Sequence, residues 1–156
     1  MTDPTPALGA FEGREHALPI RVYYEDTDFT GFVYHAGHVR FFERGRTEYM
    51  RARGVGHAEL LARPDPCAFV VTRMALVFLK AARIDDALVV RTTYDQIRGP
   101  RLWVAQRITR GADLLATAEV QIACITETGA PRRPPPDLVA RVRPLLADAA
   151  VSSTSP

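Results

Sequence analysis

RVYYEDTDFTGFVYHAGHVRFFERGRTEYMRAR, residues 21–53, is the stretch on which the reading of this chain turns. Its first part sets an acidic cluster, Glu25-Asp26-Thr27-Asp28, ahead of Gly31 and then Val33-Tyr34-His35. From about Tyr34 to Arg53, Val39, Phe42, Tyr49 and Met50 recur at helical spacing. Arg44 and Glu48 lie four apart on another face, and Gly54 and Gly56 supply a stop. At about 1.5 Å per residue such a helix is about 30 Å long, enough to be the spine of a small domain. A carboxylate, a glycine turn and a helix N-terminus thus fall within a few residues of one another. The grouping sets a base or nucleophile, Asp28, beside main-chain N–H groups of Gly31, Val33 and Tyr34, which favour negative charge as acyl transfer requires.

Around this stretch the hydrophobic period is two. Residues 16–24 read as a first strand, and after the helix residues 69–79, 88–97, 102–109 and 114–126 follow. The last is the clearest, with Leu114, Ala116, Ala118, Val120, Ile122 and Cys124 on one face and Thr117, Glu119 and Gln121 on the other. Short connections at 80–86, 98–101 and 110–113 predict antiparallel pairing and exclude a doubly wound α/β core. The expected class is α+β: an antiparallel sheet of about five strands wrapped around one long central helix. Residues 1–15 are expected to be a flexible leader, 16–147 the folded domain and 148–156 a disordered tail, with a short helix at 137–142 after the proline-rich 131–136. A single sheet over one helix leaves strand edges open, so edge pairing with a second copy is expected.

Composition sets the bounds. A chain of 156 residues is one domain's worth. The charge of +2, from 20 basic and 18 acidic residues, argues against a nucleic-acid partner. Nearly all the base is arginine; Lys80 is the only lysine. Cys67 and Cys124 sit in apolar strands and are expected to be buried free thiols, which fits a reducing compartment. No apolar run near the start is long enough for a signal peptide or a spanning helix, so a cytoplasmic protein is expected.

The pattern Arg21-Val-Tyr-Tyr-Glu-Asp-Thr-Asp28, Gly31, Val33-Tyr34-His35, Phe42-Glu43-Arg44 and Arg46-Thr47-Glu48 resembles the hotdog-fold acyl-CoA thioesterases of the 4-hydroxybenzoyl-CoA thioesterase family, in particular the bacterial branch associated with the Tol-Pal envelope system. Similarity continues through Phe69–Met74, Ala82–Asp86, Ile97–Gly99 and Gln106–Ile108, roughly Pro19 to Arg143. The resemblance implies a catalytic aspartate at Asp28, a histidine of the Tyr-His pair at His35, dimers or tetramers with sites at subunit interfaces, and no metal or cofactor. Two departures stand out. His38 replaces a frequent tyrosine, and the bulky Phe29 and Phe32 stand where small residues are common, so the acyl pocket is expected to differ.

Thioester hydrolysis needs an attacking oxygen and stabilisation of the oxyanion; thiolate is already a tolerable leaving group. Asp28 can attack the carbonyl or activate water, with His35 orienting water or the carboxylate; the competing reading makes Asp28 a turn or helix cap and His35 an ordinary helix-start residue. Asp26, Asp28, His35 and His38 together also have a metal-ligand reading, against which the resemblance speaks. Arg98 and Arg101, in a strand turn, are candidates for coenzyme phosphates, against the commoner role of solvated turn arginines. Glu43 and Arg46 read as a structural pair. Other functions remain in view: a binding module for acyl-CoA or acyl carrier protein, the hydratase branch of the same fold, and a magnesium-dependent phosphatase with Asp26-Thr27-Asp28-Phe29-Thr30 as its D-x-D-x-T motif and Asp85-Asp86 as a metal pair.

Overall fold

The computed structural model describes residue 2 and residues 4–150. Strands β1 (Ala10–Glu12) and β2 (Glu15–Arg21) form a hairpin, followed by the long helix α1 (His35–Ala52) and the short helix α2 (His57–Ala62). Four strands then run in succession: β3 (Cys67–Phe78), β4 (Ala87–Arg98), β5 (Arg101–Arg110) and β6 (Asp113–Thr126). Helix α3 (Pro136–Val142) comes last, with short 3-10 turns after it. The six strands make one sheet in the order β1-β2-β4-β5-β6-β3, antiparallel throughout, with α1 packed against it. This is the hotdog arrangement.

The sixth strand is β1, inside the stretch expected to be a flexible leader. Its three residues are too few for an alternating pattern to show. Phe11 holds it down by setting its ring edge-on to His16 and Tyr49, at 5.2 and 5.0 Å between centroids. Strand β2 ends three residues before the expected Tyr24, because Val22 N–H turns to the Asp86 carbonyl at 3.0 Å and the chain enters a 3-10 turn at Tyr24–Asp26. At the other end a 3-10 turn at Ala147–Ala150 passes the expected domain limit of 147. The remainder of the expected disordered tail, 151–156, lies outside the described residues.

Helix α1 buries Gly37, His38, Phe41, Phe42, Gly45, Arg46, Tyr49 and Met50, paired positions repeating every four residues. Val39, which contributes to the apolar period in the sequence, faces outward instead. The helix closes with Gly54 at φ +76°, and Val55 N–H reaches back to Met50 O at 2.9 Å, capping carbonyls that would otherwise lack partners. In the middle, Gly45 lets the helix lie directly on β4 and β5: a Cβ there would stand 2.6 Å from Val90 Cγ1, 2.8 Å from Thr92 Oγ1 and 3.0 Å from Gln106 Nε2. Gln106 Nε2 uses this proximity to donate to Phe42 O at 2.8 Å and Thr92 Oγ1 at 2.9 Å. Helix and sheet are thereby joined by hydrogen bonds within the apolar core.

Besides a register shift at Asp95 of β4, two bulges alter the simple strand pattern. Opposite Ile108–Thr109 of β5, strand β6 carries Leu115 as an extra residue, so Leu115 and Ala116 are both buried and Leu114, expected inside, is turned out. A second irregularity falls at Thr72 of β3, whose hydroxyl donates to Gln121 O. Cys67 and Cys124 are buried and unlinked, as expected, and burial pushes the Cys124 thiol up to about 12. Strand β3 pairs with β6 alone and presents its other edge to solvent, with Val70, Val71, Val77 and Phe78 exposed. No described helix is long and apolar enough to cross a membrane.

Candidate active site

The acidic loop is a tight hairpin. Thr27 and Val33 form an antiparallel bridge, Asp28 N–H donates to Phe32 O at 3.0 Å, and Gly31, at φ +79°, closes the turn by donating to Asp28 O at 3.0 Å. Phe32 is bridged to Arg83, whose guanidinium lies 4.6 Å from the centre of its ring. Asp26 secures the base of the loop. Its Oδ2 accepts from Tyr23 N–H at 2.8 Å and its carbonyl from Tyr34 N–H at 3.0 Å. Asp26 is therefore a buried structural carboxylate, while Asp28 at the tip stays exposed.

Asp28 Oδ1 accepts the N–H of Thr30 at 2.8 Å and also its hydroxyl, and these bonds hold the carboxyl below the usual aspartate range. Oδ2 has no hydrogen bond among the described residues. Asp28 shares a cavity of about 370 Å³ with Val33, His35, His38 and the end of β3, where Phe78, Leu79 and Lys80 form the far wall. The His35 ring packs on Tyr34 with centroids 4.2 Å apart. His38 is buried beneath, with Nδ1 3.3 Å from the carbonyls of both Tyr34 and His35 and its ring edge-on to Phe78. Burial lowers its pKa, so it is neutral, with the proton on Nδ1.

The main-chain amides of Gly31, Val33 and Tyr34 are each already hydrogen-bonded. Gly31 N–H is engaged by Asp28 O, Val33 N–H by Ala82 O at 2.8 Å and Tyr34 N–H by Asp26 O. None of the three is free to meet an oxyanion, because each is needed to fold the loop and fix it to the segment before β4. Helix α1 begins one residue later, and its first turn is closed by Gly37 N–H on Tyr34 O at 2.8 Å. The amides of His35 and Ala36 are left without partners among the described residues, at the positive end of an 18-residue helix.

Within one chain the structure unites Asp28, His35 and the start of α1 but leaves Arg98 and Arg101 elsewhere. These two flank the β4–β5 turn, whose Gly99 lines a separate open groove of about 870 Å³ carrying Arg132, Arg133 and Arg143. The phosphatase motif lacks its context, since no parallel strand precedes it, and Asp86 is paired with Arg110 at 2.8 Å. Sequence reading misses Phe78, Leu79 and Lys80, which come to the cavity from the end of a distant strand with no local signal. His38, weighed in the sequence only as part of a metal-ligand reading, lines the same cavity as Asp28 and His35.

A family model, described as the thioesterase-like superfamily, matches residues 22–142. The sequence is similar to the acyl-CoA thioesterase YbgC of Haemophilus influenzae, 42% identical over 109 residues, or 70% of this chain and 79% of that protein. It is likewise similar to the acyl-CoA thioester hydrolase YbgC of Escherichia coli O6:H1, 41% identical over 127 residues, or 80% of this chain and 93% of the relative. Among solved structures, a probable thioesterase from Bartonella henselae is 41% identical with a TM-score of 0.76, covering 78% of this chain and 99% of its own. A 1,4-dihydroxy-2-naphthoyl-CoA thioesterase from Synechocystis is 20% identical with a TM-score of 0.76, covering 83% and 96%, and shares the fold. The chain belongs to the thioesterase-like superfamily of hotdog proteins.

Proposed function

We propose that this protein hydrolyses acyl-CoA thioesters to the free acid and coenzyme A. The observation that carries this reading is the meeting, in one cavity, of an Asp28 carboxylate with a free Oδ2 and His35, the first residue of α1, where the helix leaves its leading amides unpaired. The names of relatives above 40% identity support it. In the first step Asp28 Oδ2 attacks the thioester carbon, and the carbonyl oxygen, becoming negative, is received by the two amides. Each such donor contributes about 3 kcal/mol in known oxyanion sites. The C–S bond breaks, coenzyme A leaves as thiolate and is protonated by solvent, and water held by His35 then hydrolyses the mixed anhydride to restore the carboxylate. The lowered pKa keeps Asp28 ionised at neutral pH, as either direct attack or activation of water requires, and isotope labelling separates the two.

The exposed edge of β3 and its apolar side chains support a homo-oligomer, with a second copy covering the cavity. Arg98 and Arg101 do not line the Asp28 cavity, so they would meet coenzyme phosphates only where a second copy brings its β4–β5 turn to that cavity.

The test is a panel of acyl-CoA and acyl carrier protein thioesters in a thiol-release assay, with and without chelator. Release of thiol irrespective of chelator is expected, and Asp28→Asn should lower kcat on the order of a hundredfold or more with the fold intact. Near-wild-type turnover by that variant removes Asp28 from the mechanism. Single turnover in heavy-oxygen water is expected to place label in the Asp28 carboxylate; label confined to the released acid points to activated water.

A further inference from the structure

Arg46 is a buried cation without an acid. It is 8% exposed, and its one hydrogen bond among the described residues runs from Nη1 to Gln106 Oε1 at 3.0 Å. Gln106 is fixed in turn by Phe42 O and Thr92, so the guanidinium is held in place before any ligand arrives. No carboxylate pairs with it among the described residues. The nearest candidate on its own helix, Glu43, is exposed, and its Oε1 accepts from the Thr47 hydroxyl at 2.6 Å. Burial lowers the Arg46 pKa and outweighs the opposing pull of Tyr94 and Glu43, so the charge is only partly compensated.

Arg46 opens on a second cavity, between the middle of α1 and the first half of β3, distinct from that of Asp28. Its volume is about 160 Å³, roughly that of five water molecules at about 30 Å³ each. Met50, Phe69, Val71 and Leu102 line its sides, and Tyr94 lies beside Arg46 with a hydroxyl that has no hydrogen bond among the described residues. Glu43, Thr47 and His57 stand together at the rim, the Thr47 hydroxyl lying 3.2 Å from His57 Nε2. A small apolar chamber holding a fixed guanidinium and a phenolic donor has the chemistry of a receptor for a carboxylate on a short hydrocarbon stem.

We propose that the Arg46 cavity binds the carboxylate of a short-chain acid, with Arg46 and the Tyr94 hydroxyl as its donors. Two sources supply that chemistry: a free short-chain acid, and the terminal carboxylate of a dicarboxylic acyl group on the thioester. The second source rests on the thioesterase reading above; the first does not.

The experiment titrates butyrate against 1-butanol, of equal length and no charge, into the full chain at matched ionic strength by calorimetry. Saturable butyrate binding is expected, weakened at least tenfold in Arg46→Gln and severalfold in Tyr94→Phe, which removes a single atom and guards against misfolding of the first variant. Butanol binding as tightly as butyrate, no butyrate binding, or unchanged affinity in both variants would overturn the proposal. Kinetics then separate the sources. A drop of at least tenfold in the succinyl-CoA to butyryl-CoA ratio of kcat/KM in Arg46→Gln, with butyryl-CoA turnover retained, assigns the cavity to the acyl tail. An unchanged ratio alongside lost butyrate binding assigns it to free acid. A protein that cleaves no member of the thioester panel yet binds butyrate through Arg46 would refute the thioesterase reading and keep the cavity.

Discussion

Replacing Gly45 by alanine sets two physical effects against each other, and the structure decides which prevails. Helix propensity alone predicts stabilisation of about 1 kcal/mol, because glycine is the poorest ordinary helix former. Against this, the new Cβ would lie 2.6 Å from Val90 Cγ1, 2.8 Å from Thr92 Oγ1 and 3.0 Å from Gln106 Nε2, all inside van der Waals range. Relieving such overpacking costs about 1–3 kcal/mol. Moving the helix away would also lengthen the Gln106 bonds to Phe42 O and Thr92, worth about 1 kcal/mol each. The net expectation is a loss of about 2–3 kcal/mol, or about 5–10 °C in Tm for a domain of this size. Gly37→Ala is the matched control. Its nearest neighbours, Val33 Cγ1 at 3.2 Å and Asp26 O at 3.5 Å, leave almost enough room, so stability should change by less than about 1 kcal/mol. Denaturant titration of both variants, followed by circular dichroism, measures the difference. A Gly45→Ala variant as stable as the wild type, or more so, would show that the close approach of helix and sheet is not a constraint.

Other expectations follow from burial and exposure. His16 is fully buried with no well-formed hydrogen bond to either ring nitrogen, and burial lowers its pKa, so only the unfolded chain takes up a proton as pH falls below about 6.5. Stability should be level above that pH and decline below it toward the folded-state value. His16→Phe should flatten this part of the profile, leaving only the slope due to His38, and an unchanged profile would acquit His16. The Cys124 thiol, pushed up to about 12, should resist iodoacetamide at pH 8 in the native protein and react promptly in urea; rapid native alkylation would contradict its burial. Val77→Lys on the free edge of β3 should shift light-scattering mass toward the monomer, and an unaltered mass would remove β3 from the interface.

The long helix, the antiparallel order and the acidic loop are legible in the sequence because each is a local or periodic signal: a four-residue rhythm, strand alternation with short turns, and a carboxylate beside glycine. What escapes is set by registry and distance. The extra residue at Leu115 inverts the face of Leu114, and no local pattern distinguishes a bulge from a regular strand. The engagement of the Val33 and Tyr34 amides depends on Ala82 and on the carbonyl of Asp26, which no local pattern reveals, and it leaves the amides of His35 and Ala36, two residues further on, as the unpaired ones. Arg46 reads as one half of a structural pair with Glu43, on the helix surface or against the loop, because the two are three apart. Only packing shows that the helix turns Arg46 inward while Glu43 remains in water.

Lys80 is the only lysine of the chain, and it stands in the wall of the Asp28 cavity with its amine 2.7 Å from Asp113 Oδ1. An amine-directed fluorophore therefore has one side chain to modify, at the mouth of the candidate active site. Once the α-amino group is blocked, the native protein can carry a single reporter there without any mutation. Its emission would register occupancy of that mouth directly, independent of turnover.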